Sequence, residues 1–359
     1  MPPTPNGHEY APPRRAEGGQ APRAHGRRAW LAGLLAAAST ALLPGVTPLA
    51  AAAHPKPSTV SRLYVTNFDV DTVTVLNAAT NAVVATVPVG DTPTDVAVDA
   101  GRARAYVVNR EDDTVTVINT NNNTVLTTIT VGNAPQQVAV DARRGRAYVT
   151  NAADDSVSVI NTNTNAVITT VAVGDSPFGV EVDPARGRAY VADREDDTVS
   201  VINTDTNAVV TTVPVGDGPF DVAVDSPRAR AYVVNQQDNS VSVINTSTNT
   251  VVTTVTVGAG PTGVAVDPGR DRAYVANFEA DTVSVINTET NVVVDSLRVG
   301  DEPARVAVDP ARARAYVTNS ASDTVSAINT ATDDVIDTFP AGDGPVGVAV
   351  LNTGGKKRP

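Results

Sequence analysis

The chain has 359 residues, no cysteine and a formal net charge of -12, from 27 Lys and Arg against 39 Asp and Glu. Without cysteine there are no disulfides, thiolate nucleophiles, iron–sulfur clusters or thiolate-held metals. The three histidines (His8, His25, His54) and the three lysines (Lys56, Lys356, Lys357) lie outside the repetitive body that starts near Arg62. That excludes Ser-His-Asp catalysis, Schiff-base chemistry, histidine-ligated haem and ordinary zinc or copper sites within the body, and it makes an enzyme the minority expectation.

In chain order, residues 1–28 carry five arginines against Glu9 and Glu17, and an uncharged Ala/Leu-rich run follows from Ala29 to Ala53. A basic stretch ahead of an apolar run is the layout of an export signal. The small residues Ala50 to Ala53 suit a signal peptidase, so cleavage is expected near Ala53, and intact mass should show a mature chain without tryptophan, Trp30 being the only one. Arg27-Arg28 ahead of Ala29-Trp30-Leu31 resembles the twin-arginine export motif. An ordinary Sec signal containing Arg-Arg, or an uncleaved anchor, are the alternatives, and Pro44, Gly45 and Pro48 favour cleavage. Removal takes away five arginines and two glutamates and leaves about -15. Nucleic acid and anionic membrane surfaces are therefore poor partners, and no membrane span is expected in the mature form.

After a short linker (54–61), tyrosines fall at 64, 106, 148, 190, 232, 274 and 316, each 42 residues after the last, and glycines at 90, 132, 174, 216, 258, 300 and 342 keep the same step. In the unit from Gly174 to Asp217, four short β-branched alternating runs begin at Phe178, Arg188, Thr198 and Ala208, each bounded by Gly, Pro, Asp or Asn turns. Four strands repeated seven times, with connections too short for helices, predict an all-β, seven-bladed β-propeller over 62–351. A basic, disordered tail (352–359) follows. The first unit starts without an innermost strand and the last strand, Val346–Val350, has no successor. The C-terminal strand is therefore expected to complete the first blade and close the ring. A monomer is expected.

The Tyr-Val-Thr-Asn runs at 64–67, 148–151 and 316–319, with recurrent Val-Ile-Asn-Thr and Val-Gly-Asp/Asn-x-Pro signatures, resemble the YVTN family of β-propeller repeats. The resemblance covers about residues 62–351 and implies a bacterial periplasmic or secreted protein or a relative of archaeal surface-layer proteins. It also implies that the strand after Gly-Asp-x-Pro is innermost, which sorts the loops onto two faces. One face, here called the top, collects Asp71, Asp113, Asp155, Asp197, Asp281 and Asp323, with Asn239 at the seventh place. The bottom face collects arginines such as Arg102, Arg144, Arg186 and Arg228, offset by turn aspartates such as Asp183 and Asp225. The acidic top face reads either as a surface for a cationic ligand, divalent ion or basic protein, or as turn-capping carboxylates that keep an exported protein soluble.

The repeats disagree most in the fourth unit. Glu181 stands where the other six units have alanine, and Asp193, followed by Arg194, stands where they have asparagine. Phe178 and Phe220 are aromatic where the other units have Thr, Gln, Ala or Val, and Asp221 follows Phe220. These six residues (Phe178, Glu181, Asp193, Arg194, Phe220 and Asp221) are the candidate small-ligand site. The alternative is that Glu181 pairs with Arg194 or water while the phenyl rings fill the axis. No cofactor is implied. The functional expectation is a non-catalytic binding or interaction scaffold of the cell envelope or exterior. Its alternative is a lactonase- or lyase-like propeller enzyme using carboxylates and a divalent metal.

Overall fold

The structure is a computed structural model that describes residues 61–352. The expected export signal with Arg27 and Arg28, nearly all of the linker, and the tail from 353 lie outside the described residues. Among the described residues, 28 strands form seven four-stranded antiparallel sheets, each a blade, and the one helical element is a 3-10 turn at Phe278–Ala280. Six blades are built from consecutive strands. Blade 1 takes its innermost strand from the chain end, where Pro345–Asn352 pairs antiparallel with Ser61–Asn67. The ring thus closes as the sequence predicts, with no blade left short of a strand.

The core lies between blades. Each blade is apolar on both faces, and clusters bridge neighbours: Tyr148, Val157 and Val159 of blade 3 pack with Val180, Val182, Val191 and Ile202 of blade 4. The seven repeat tyrosines are fully buried in these seams. Their hydroxyls donate into the next blade, as in Tyr64 to Asn123 Oδ1 (3.0 Å), Tyr232 to Asn291 Oδ1 (3.1 Å) and, across the closure, Tyr316 to the Ala78 carbonyl (3.1 Å). A tyrosine serves here because the seam is dry along the ring and polar at its end.

On the bottom face the turn aspartates are fully buried and hold the arginine three residues on, as in Asp183–Arg186 (3.0 Å) and Asp267–Arg270 (2.9 Å). On the top face the six aspartates and Asn239 adopt left-handed backbone conformations, with φ from 49° to 57°. Each accepts the N–H of the second residue after the next loop glycine, from Thr92 on Asp71 (2.9 Å) to Gly344 on Asp323 (3.1 Å). A second set caps the same loops, with Asp196 on the Asp175 N–H (2.9 Å) and Asp238 on the Asp217 N–H (2.8 Å). The acidic ring is therefore built by turn capping, and it leaves Asp91 and Asp175 exposed beside Asp112 and Asp196, whose negative charges push their carboxyls up.

Asn239 performs the same bond without a charge (2.7 Å to the Gly260 N–H). Asp197→Asn should therefore leave the melting temperature unchanged, whereas Asp197→Ala should cost about 1 kcal/mol through the lost bond to the Gly218 N–H and the left-handed backbone. A thermal melt of both variants checks it, and a destabilised Asn variant would show that the charge itself matters.

Candidate functional site

The innermost strands pack against the next blade on both faces, so their free edges and partly exposed side chains face the axis of the ring. Every innermost strand that follows a loop proline carries an irregular register just after that proline. Such a bulge re-aims the side chain of the third residue of the strand. That residue runs Asp95, Gln137, Gly179, Asp221, Gly263, Arg305 and Gly347 around the ring.

Three of its polar members, Gln137, Asp221 and Arg305, form one network, and Asp95 caps an edge beside it. Asp95 accepts the Val138 N–H (3.0 Å) and Gln137 Oε1 accepts the Val180 N–H (2.6 Å), each capping the free edge of the following blade. Gln137 Nε2 donates to Asp221 Oδ1 (3.0 Å), which also accepts the N–H of Val222 (2.9 Å). Asp221 Oδ2 accepts the Val264 N–H (3.0 Å) and the Arg305 guanidinium (3.1 Å), and Arg305 also donates to the Thr262 carbonyl (2.8 Å). Gln137 reaches past blade 4 and Arg305 past blade 6, and both intervening blades have glycine at this level. A Cβ on Gly179 would lie 2.6 Å from Asp221 Cα, and one on Gly263 would lie 2.6 Å from the Ala304 carbonyl. Glycine is the residue that fits.

Glu181 lies two residues further along its strand, at the seam of blades 4 and 5. Alanine packs into the corresponding seams as Ala139 and, at the partly exposed edge, Ala97, Ala265, Ala307 and Ala349, whereas the blade 4/5 cluster of Tyr190, Val199, Val222 and Val233 has no such member. The side chain keeps a partly exposed edge on the axis, yet it sits deep enough in the ring for burial to push its carboxyl up to about 8, with Asp221 and then Asp95 adding in the same direction. Only the Val182 N–H opposes this. Asp95 is likewise pushed up to about 7 by burial, against the pull of Arg305.

The other candidates divide. Phe178 and Phe220 stack with ring centroids 4.3 Å apart and a 37° tilt. Arg194 lies over both rings at 5.7 and 5.9 Å, and Arg305 lies over Phe220 at 5.4 Å. Arg194 pairs with Glu195 (3.8 Å) and forms no ion pair with Glu181. Its Nε is buried without a hydrogen-bond acceptor. Asp193 is fully buried away from this group, inside the loop of its own blade, where Thr198 donates to Oδ2 (3.2 Å) and burial pushes the carboxyl up to about 6. It replaces an asparagine whose amide donates to the same hydroxyl positions, as Asn151 does to Ser156 and Ser158. Phe178, Phe220 and Arg194 therefore group together, Arg305 links them to Asp221, Glu181 feels the Asp221 charge from its own strand, and Asp193 holds a loop. Asp95, Gln137 and Arg305 join them; the signal was the variation at the third residue of the innermost strand. Among the described residues no group of three or more acidic side chains is arranged to hold a metal ion.

No known family model matches the chain, and no curated protein does. Solved structures do. A functionally unknown protein from Desulfotomaculum acetoxidans aligns with a TM-score of 0.72 at 16% identity, over 81% of this chain and 98% of its own. Hydrazine synthase from Kuenenia stuttgartiensis aligns at 0.65 and 20% identity, over 73% and 95%. Apo AztD from Citrobacter koseri aligns at 0.61 and 14%, over 83% and 99%. At these identities the likeness is one of fold, and proteins of different functions share it.

Proposed function

We propose that the chain is an exported, non-catalytic β-propeller that acts as a binding scaffold, with a small-ligand site at the axis around Glu181, Phe178, Phe220 and Arg194. The basic segment with Arg27-Arg28 supports export, and the Tyr-Val-Thr-Asn repeats support kinship with YVTN-type envelope propellers. The capped acidic top face remains a surface suited to a basic partner. The single observation that carries the reading is Glu181, an enclosed acid at an alanine position, with negative charges around it and no cation of the fold committed to it. The scaffold spends every other axial polar group on its own edges.

A thermal-shift screen over divalent ions, sugars and polyamines, run in parallel on the protein and on Glu181→Ala, tests the reading. A probe that raises the melting temperature of the protein but not of the variant supports it, and probes that act equally on both place binding elsewhere. The variant should itself be more stable, and increasingly so as pH rises. A carboxyl whose native pKa of about 8 exceeds its ordinary 4.5 destabilises the fold progressively between those values, because the native state holds the proton that the unfolded state releases. Glu181→Ala removes that loss, and with it the like charge that Glu181 and Asp95 share, so the destabilisation on raising the pH should shrink without vanishing, Asp95 being lifted by its own burial. Melting temperatures at pH 5 and pH 8 read the difference; a gap that does not widen with pH would show Glu181 already neutralised by a partner.

A further inference from the structure

Resting on the axial site above, we propose that the Glu181 sector takes an aliphatic primary amine as its ammonium ion, with the head against the Glu181 carboxylate and the chain along the axis. Three features define this class. The axial wall is otherwise aliphatic: at the level of Glu181 and the next, the partly exposed residues of the other blades include Ala265, Val266, Ala307, Val308, Ala349 and Val350. Both faces of these strands are packed against other blades, so that exposure is directed at the axis. An alkyl chain gains by covering such surface, at about 0.8 kcal/mol per buried methylene.

The field at the head is one-signed. The charges that act most on Glu181 are Asp221 on blade 5, Asp95 on blade 2 and Asp183 on its own strand, all negative. Arg305 is committed to Asp221 and Arg194 to Glu195 and the rings. Tyr190, opposite Glu181 in the sheet, directs its hydroxyl to the Thr246 carbonyl. A cation is favoured there and an anion repelled. Each innermost strand pairs on one side only, and its other edge offers backbone carbonyls for the remaining N–H groups of a primary ammonium, which a quaternary head would leave unused. The phenyl pair with Arg194 over it stands toward the top loops, so the aliphatic wall leads to the bottom face.

Calorimetric titration of the full chain with hexylamine hydrochloride, sodium hexanoate and 1-hexanol tests the class, with Glu181→Gln as the variant and its melting temperature confirming that it folds. Hexylammonium should bind the protein and bind Glu181→Gln at least tenfold more weakly, with hexanoate and hexanol showing no measurable binding. Because the carboxyl must give up its proton to receive the ammonium, binding at pH 7 should release a proton, seen as a dependence of the heat on buffer ionisation enthalpy, and the variant should show none. Hexanoate, hexanol or a calcium probe binding in a Glu181-dependent way would overturn the amine class while leaving the axial site standing. Hexylammonium binding that ignores the substitution, or binding by none of the probes, would overturn the inference itself.

Discussion

Truncation after Gly344 should abolish cooperative melting of the native ring. The lost strand, Pro345–Asn352, is the innermost strand of blade 1 and carries six register pairs with Ser61–Asn67. It also ties three neighbours: Gly347 N–H to Thr66 (2.7 Å), Thr318 to the Val346 carbonyl (2.6 Å) and Asn352 to Asp309 (3.0 Å). Leu351 is 1% exposed in the seam with Tyr64, Val73 and Val107, and Val348 is buried on the other side with Leu63 and Tyr316. Burying such side chains contributes about 1.5–3 kcal/mol each, before the unpaired edge of Ser61–Asn67 is counted. Against a net stability of roughly 5–15 kcal/mol the loss takes most of the margin. Circular dichroism melts and size-exclusion profiles of the truncated chain read it, and an unchanged melting temperature would mean that the ring closes without this strand. Leu351→Ala is the milder version, expected to cost about 2–5 kcal/mol.

Leu351 also shows what the 42-residue period made legible and what it did not. Strand number and closure follow from local signals, because each blade repeats one pattern of tyrosine, glycine and turn residues and each seam is filled by that pattern meeting itself, whereas the order of the strands and the two faces come from the resemblance. Departures mark the places where the ring is not symmetric. Glu181 stands out against six alanines and Phe178 and Phe220 against the five non-aromatic residues at their position, and the structure stacks the two rings under Arg194 and sets Glu181 in the field of Asp221. Asp193 stands out in the same way, yet it occupies a capping position where a carboxylate accepts from hydroxyls to which asparagine donates. A departure in sequence therefore signals a change in chemistry and leaves its place in the fold open. Asp95, Gln137 and Arg305 were hidden for the opposite reason. The third residue of the innermost strand is glycine in three blades and Asp, Gln or Arg in the other four, so the variation is visible but no single blade stands out, and its meaning depends on side chains that cross an entire blade above a glycine. Contacts between blades two apart exist only once the ring is closed.

That crossing carries the second large effect. Asp221→Ala should lower stability by about 3–5 kcal/mol, since it leaves the 7%-exposed Arg305 without its anion and Gln137 Nε2 and the Val264 N–H without acceptors. Asp221→Asn keeps the shape but not the charge and should fall between the two. The decisive comparison is Asp221→Ala combined with Arg305→Met. Removing both charges takes away the uncompensated guanidinium, so the double variant should be more stable than Asp221→Ala alone, and the cycle should return a coupling above about 1 kcal/mol. Additive losses would show that Arg305 is held by Thr262 and the Phe220 face without the carboxylate. The same substitution reaches the ligand site. Asp221 is the largest charge effect lifting Glu181, so in Asp221→Ala the Glu181 carboxyl should titrate at a lower pH and the destabilisation on raising the pH toward 8 should shrink. Loss of the Asp221 charge with no change in that pH dependence would separate the two groups and leave burial, with Asp95, as the cause of the Glu181 shift.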